Sequence, residues 1–282
     1  SSPFDGIVTA EASRTWRKVL AAQERGAAAV LFVRDVHNRE DINDWPAVHA
    51  GAWPDEPRRI ERFTLEAWAE QITIPAAQIS AELAATLVED SGRTLEELAV
   101  EAESAEGGLG VVDLGSARAD LRTEVERHVS PGTNVLAMIE GSDPDLRDEV
   151  VIIGAHHDHN GMDGEVVYNG ADDDGSGTVG VLAIAEAYAQ AAASGDLPAR
   201  SVIFAIWDAE ERGLLGAWYY TQRPLFPLQS TVANLNMDMI GRHEEVPTDG
   251  GGRFRGLDVQ SAESNSNATN ILGYSYTPAL VQ

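Results

Sequence analysis

Four short polar clusters hold most of the residues in this sequence able to do chemistry. They are His156-His157-Asp158-His159, Asp172-Asp173-Asp174, Asp208-Ala209-Glu210-Glu211 and Asp238. Imidazole and carboxylate together suit two kinds of work: moving protons and holding a divalent cation such as zinc. Cysteine is absent, so any metal must be held by His and carboxylate, and no Cys nucleophile or disulfide exists. A serine hydrolase is excluded on pattern, because Gly175-Ser176-Gly177 is not a Gly-x-Ser-x-Gly elbow followed by suitable Asp and His. Each cluster alone also has a purely structural explanation. A strand-end His hydrogen-bonds a neighbour, three aspartates make a solvated turn before a helix capped at Ser176, and a Glu pair favours a helix dipole. Their convergence decides between these readings. So many carboxylates in one crevice are costly unless a cation neutralises them.

The elements around the clusters predict that convergence. Val150–Ala155 is a continuous apolar run, as in a strand buried on both faces, and Ser201–Trp207 reads as another buried strand. Asn134–Ile139 and Ala233–Met237 read as further strands. Thr178–Ala193 reads as a helix, with Val181, Leu182, Ala185 and Tyr188 on one stripe and only Glu186 interrupting its apolar middle, so a well-buried helix is expected. Leu214–Gln222 reads as a short helix. This alternation predicts an α/β fold, a mostly parallel sheet with helices on both faces. Each polar cluster then lies just past the C-terminal end of a strand or in the loop that follows, where open α/β sheets bind ligands.

Residues 1–118 have a different texture and form a first domain in this reading; residues 119–282 form the second. The first holds a helix near Thr15–Arg25, a strand over Ala27–Val33, a Pro-, Trp- and charge-rich loop at 38–62, a helix over Ala81–Glu89 ending near Gly92, and a turn at Gly107–Gly110. The 46 acidic against 20 basic residues give a formal charge of −26, a surface that repels nucleic acid and anionic lipid. No run of eighteen apolar residues is present to span a membrane, and the first residues are neither basic nor apolar enough for a signal peptide.

The motifs Gly154-Ala155-His156-His157-Asp158-His159, Asn169-Gly170-Ala171-Asp172-Asp173-Asp174-Gly175-Ser176-Gly177, Trp207-Asp208-Ala209-Glu210-Glu211-Arg212-Gly213-Leu214-Leu215-Gly216 and Asn236-Met237-Asp238-Met239-Ile240-Gly241 resemble, in order and spacing, the di-zinc aminopeptidases and glutamate carboxypeptidases. Gly26–Val33 and Ile74-Pro75-Ala76 resemble the protease-associated domain, a smaller α+β module often found beside them. The resemblance implies that His156 and Asp238 bind one zinc, Glu211 the second, and Asp172 both, with a cis peptide between Asp172 and Asp173. It implies Glu210 as general base and Asp158 as the residue that orients the His156 ring. Together these imply an exopeptidase in which two zinc ions activate a water and Glu210 takes its proton to cut a terminal peptide bond.

The family's fifth ligand is a histidine late in its domain, and no His follows His243 in this sequence. The second zinc position is therefore expected to be one ligand short, and the sequence reads as lacking the last part of the fold. An aminopeptidase acting on peptides is the leading expectation. A glutamate carboxypeptidase-like enzyme and a non-catalytic ectodomain of the same fold are the alternatives. Arg242 and Tyr168 are candidate substrate contacts; His159 could line the pocket but reads first as a satisfied loop residue, and His157 is expected to face away. An accessory domain beside a peptidase suggests a secreted or cell-envelope location.

Overall fold

The computed structural model describes residues 15–33, 63–104, 110–243, 245–248, 258–264 and 266. It divides into two compact units, Ser1–Val129 and Ser130–Gln282. The expected loop at 38–62 and most of the Gly107–Gly110 turn lie outside the described residues.

In the first unit, helix α1 (Thr15–Glu24) buries Val19 and Leu20. Strand β1 (Val30–Phe32) pairs in parallel with β2 (Ala76–Gln78). Both strands are shorter than the apolar runs around them. The short helix α2 (Glu66–Ala69) buries Trp68, which stacks on Trp16 with ring centroids 4.7 Å apart. Helix α3 (Ala81–Val88) is capped by Ser80, whose hydroxyl accepts from the Leu83 amide. One 3₁₀ turn later Gly92 closes it at φ 72°, the left-handed conformation that favours glycine. Helix α4 (Leu95–Ser104) opens on a reciprocal box: the Glu97 amide donates to the Thr94 hydroxyl and the Thr94 amide to the Glu97 carboxylate.

The second unit is built on a four-stranded sheet in the order β3 (Val135–Ile139), β7 (Ser201–Trp207), β4 (Val150–His156), β8 (Thr231–Asn236). β7–β4 and β4–β8 are parallel, and β3 runs antiparallel to β7. The sheet is thus mostly parallel, as its apolar runs predict: all seven residues of β7 are buried. Alternate residues feed two cores. Val150, Ile152, Ile203, Ala205 and Trp207 pack with Tyr220 and Ala217 of helix α6 (Leu215–Gln222) on one face. Ile153, Ala155, Val202, Phe204 and Ile206 pack with Val181, Ile184, Ala185 and Tyr188 of helix α5 (Gly175–Ala193) on the other. Helices therefore cover both faces, an α/β architecture. α5 is less buried than its apolar composition suggests. Val181 is 1% exposed, but Leu182, expected on the same stripe, is 59% exposed. A step of about 100° per residue turns Leu182 off the face that Val181, Ala185 and Tyr188 share.

Between β4 and α5 a small hairpin, β5 (Gly161–Asp163) with β6 (Val166–Tyr168), projects from the chain. Its strands are too short to show in the sequence pattern. Among the described residues no helix is long and apolar enough to cross a membrane.

Candidate metal centre

Parallel pairing places the C-terminal ends of β4, β7 and β8 on one edge of the sheet, with His156 opposite Trp207 and Gly154 opposite Asn236. The residues that follow each strand must meet there. β3 runs the other way, so its leading residues arrive at the same edge. The Thr133 amide donates to the Asp208 carboxylate at 2.6 Å, and the Asp208 amide donates to the Asn134 side chain at 3.0 Å. Two non-glycine residues beside the cluster are left-handed, Ala209 at φ 53° and Met239 at φ 55°. Such conformations cost roughly 1–2 kcal/mol each. Here they turn the chain sharply between Asp208 and Glu210 and directly after Asp238, so these carboxylates face inward rather than along the strands.

His156 is the centre. It is 1% exposed, and its Nε2 has no hydrogen-bond partner. That nitrogen lies 3.2 Å from Asp173 Oδ1 and 3.8 Å from both Glu210 Oε2 and Asp238 Oδ2. The other ring nitrogen, Nδ1, lies 3.1 Å from the Asp158 main-chain oxygen and 3.5 Å from its carboxylate. The Asp158 carboxylate is engaged further on. It accepts from the Glu210 amide at 2.8 Å and the Glu211 amide at 3.2 Å, tying the loop after β4 to the loop after β7.

Two groups of ligand-type atoms form here: His156 with Asp173 and Asp238, and His159 with Asp173 and Glu211. Asp173 is common to both. This corrects the sequence-based expectation, which gave the shared position to Asp172. Asp172 belongs to neither group. It pairs with Arg242 at 2.9 Å and accepts from the Gly241 amide at 2.8 Å and from the Ser176 hydroxyl. The cis peptide is likewise one residue later than expected, between Asp173 and Asp174. The reason lies in the start of α5. The helix is capped by Asp174, not Ser176, and the 1% exposed Asp174 carboxylate accepts from the amides of Gly177 (2.9 Å), His156 (3.0 Å) and Met239 (3.3 Å). With Asp174 committed to the cap, Asp173 is the residue left to face His156.

The electrostatics show what this arrangement lacks. Burial acts on His156 to lower its pKa. The hydrogen bond with Asp158 and the fields of Glu210, Asp174 and Asp238 outweigh it and lift the imidazole to about 9. Burial raises the Glu210 carboxyl above its ordinary range, and Asp238, Glu211 and Asp158 add repulsion, against attraction from His156. Asp238 is raised by burial first and by the neighbouring Asp174, Asp173 and Glu211, with His156 again opposing. Asp174 is raised by burial despite its three amide donors. Asp158 moves the other way: burial would raise it, but its hydrogen bonds with His156, Glu210 and Glu211 hold it low. A crowd of carboxylates around one buried imidazole whose Nε2 has no hydrogen-bond partner is a donor set suited to a divalent cation, and His with carboxylate is the composition of catalytic zinc sites.

The remaining candidates are placed as follows. Glu210 and Glu211 both reach the site but divide between the groups: Glu210 faces His156, and Glu211 faces His159 at 2.6 Å. His157 turns away, its Nε2 3.0 Å from the Thr133 carbonyl oxygen, as strand alternation predicts. His159 lies in the second group, its buried Nδ1 without a hydrogen-bond partner but ion-paired with Glu211. No pattern in the sequence marks it. Its place depends on Gly170, at φ 62°, where a Cβ would stand 2.8 Å from the Cβ of His159. Tyr168 packs near the His159 ring at 6.5 Å between centroids.

Residues 134–270 match the model of peptidase family M28. The chain is 35% identical over 111 residues to a probable glutamate carboxypeptidase of Arthroderma benhamiae, covering 39% of this chain and 14% of that protein. It is 35% identical over 165 residues to an aminopeptidase of Pseudomonas aeruginosa, covering 54% and 28%. Among solved structures, an aminopeptidase from Aneurinibacillus sp. strain AM-1 is similar with a TM-score of 0.33 and 25% identity, over 42% of this chain and 28% of that one. The chain thus spans well under a third of the length of these relatives.

Proposed function

We propose that this chain carries the catalytic centre of a zinc exopeptidase of the aminopeptidase type, acting on the terminal bond of a peptide. The observation that carries the reading is the buried Nε2 of His156, without a hydrogen-bond partner and faced by Asp173, Asp238 and Glu210. His156, Asp173 and Asp238 would hold one zinc, and Glu211 with Asp173 would contribute to a second. Zinc there supplies Lewis-acid polarisation of the scissile carbonyl and eases ionisation of water.

The side chains do the rest. Glu210 lies 3.8 Å from the imidazole with its side chain partly exposed, and its raised pKa suits a group that takes a proton from water and returns it to the leaving amine. Asp158 acts as a positioning residue. By accepting from both the Glu210 and Glu211 amides it fixes the spacing of the base relative to the ligand. Its nearness to Nδ1 of His156 favours a proton on that nitrogen and leaves Nε2 free to bind metal.

A second reading, a glutamate carboxypeptidase-like enzyme, draws on Arg242. Its half-exposed guanidinium sits on Asp172 beside the cluster, where a substrate carboxylate would meet it. The resemblance of the first unit to a protease-associated domain supports a secreted or envelope location within the same proposal.

The test is zinc content together with hydrolysis of leucyl and γ-glutamyl peptides by the chain and its Glu210→Gln variant. The expected result is retained zinc with a loss of roughly 10²–10⁴-fold in turnover, the range for a general base. Turnover that survives Glu210→Gln removes Glu210 as the base, and a wild-type chain that binds no zinc removes the peptidase reading.

A further inference from the structure

We infer that Asn134 is a positioning residue for the proposed base: its side-chain amide clasps both ends of the loop that carries Glu210 and Glu211. The inference rests on the reading of Glu210 as the base and deepens it, by naming what holds that loop in shape.

The loop after β7 runs from Asp208 to Gly216 and closes on itself. The Gly216 amide donates to the Asp208 carbonyl oxygen at 2.9 Å, the Leu215 amide to that of Ala209 at 3.0 Å, and the Gly213 and Leu214 amides to that of Glu210 at 2.8 Å. Two of its non-glycine residues are left-handed, Ala209 at φ 53° and Leu214 at φ 62°, and such a backbone persists only where its surroundings enforce it. Asn134, directly before β3, supplies that constraint. Its Oδ1 accepts from the Asp208 amide at 3.0 Å, and its Nδ2 donates to the Gly216 carbonyl oxygen at 2.8 Å. One side chain thus bridges the first and last residues of the loop, using the donor and the acceptor that an amide carries together. The approach is close: a Cβ at Gly216 would overlap Asn134 Oδ1 and the main chain of Asp208, so the contact requires glycine there. The segment that presents Asn134 is held in turn. The Thr133 amide donates to the Asp208 carboxylate, and His157 Nε2 lies 3.0 Å from the Thr133 carbonyl oxygen. The pairing of β3 with β7 starts only at Val135, so the Asn134 bonds serve the loop and not the sheet.

The experiment compares the 282-residue chain with Asn134→Asp, Asn134→Ala and Ser142→Ala, the last removing a hydroxyl beyond the opposite end of β3. Asn134→Asp keeps the acceptor and sets a second oxygen against the Gly216 carbonyl. Hydrogen–deuterium exchange is read by mass spectrometry on metal-free protein, over 208–216 and over β4 and β7. Hydrolysis of a leucyl peptide is read on zinc-loaded protein. Both Asn134 variants are expected to exchange at least about tenfold faster in the loop, with the two strands as protected as in the wild type. Their kcat is expected to fall roughly 10- to 100-fold, with KM changed by less than about threefold. Ser142→Ala is expected to change neither reading. Unchanged loop exchange in the Asn134 variants overturns the inference. Exchange that rises equally in the strands, or loss of the fold, also overturns it, because Asn134 then serves the sheet. Faster loop exchange with an unchanged kcat overturns it too, by separating the loop from the base. A wild type without turnover sinks the peptidase reading instead, and exchange alone then decides the clasp.

Discussion

The adjacent residues Asp172 and Asp173 provide the sharpest test of the site, because the same substitution at each should have opposite consequences. Asp173 offers oxygen to both ligand groups, so Asp173→Asn weakens a donor in each. Zinc held by four protein ligands is worth on the order of 10–16 kcal/mol, about 3 kcal/mol per ligand. Loss of one charged ligand then costs roughly 10²-fold in affinity at each position, since about 1.4 kcal/mol is tenfold. Asp172→Asn keeps an oxygen to accept from the Gly241 amide and the Ser176 hydroxyl, and loses only an ion pair with an Arg242 that is 54% exposed. Exposed pairs are worth about 0–1 kcal/mol, so zinc affinity should change by less than about fivefold. Metal analysis after equilibrium dialysis at fixed free zinc, supported by calorimetry, reads both variants directly. If Asp172→Asn strips the zinc and Asp173→Asn does not, the inward-facing aspartate has been misidentified and the capping argument for Asp174 fails with it.

Three further outcomes are expected. Asp158→Asn should weaken zinc binding roughly 10–100-fold, the usual effect of losing the partner of a ligating His, with folding largely intact; an unchanged affinity would show that the main-chain oxygen of Asp158 suffices to hold His156. Asp174→Ala orphans three amide donors and removes a helix cap, so urea denaturation should show a loss of roughly 3 kcal/mol; a loss under about 1 kcal/mol would contradict its role as the buried knot of the site. His156, lifted to about 9, keeps its proton in the metal-free fold at pH values where an unfolded chain, near 6.5, has lost it. Its contribution to stability is full below 6.5 and disappears as pH rises to 9. Because zinc accepts only neutral imidazole, apparent affinity should rise by up to about tenfold per pH unit through that window. Calorimetry in buffers of different ionisation enthalpy should detect the released proton, and a pH-independent affinity would refute the shift.

Much of the second unit was legible because burial on both faces leaves a plain mark. Ser201–Trp207, six apolar residues after a serine, is β7 to the residue. Val150–Ala155 extends only to His156, because the strand carries its first functional side chain on its last position. Following the strands, the sequence also brought His156, Glu210, Glu211 and Asp238 to one edge. What it did not show was which of three identical aspartates faces inward. Composition is silent there, and the answer depends on a single choice of helix cap: reading the cap at Ser176 instead of Asp174 shifts every role by one residue. His159 escaped for a related reason. Its position is set by the four-residue loop after β4 and by Gly170 after the hairpin, a contact between segments that no local pattern encodes. Leu182 turns outward because helical phase, not apolar content, decides which face of α5 is buried.

The reversed direction of β3 has an effect on how this centre would report its own state. The chain enters the sheet beside the edge that carries the cluster, so the Thr133 amide is anchored on Asp208, two residues before Glu210, the proposed base. Slackening of the loop that carries Glu210 would free that amide to exchange with solvent, and a ligand that stiffens the loop would slow its exchange. Thr133 is thus an internal gauge of active-site order, readable by hydrogen–deuterium exchange without any substrate turning over.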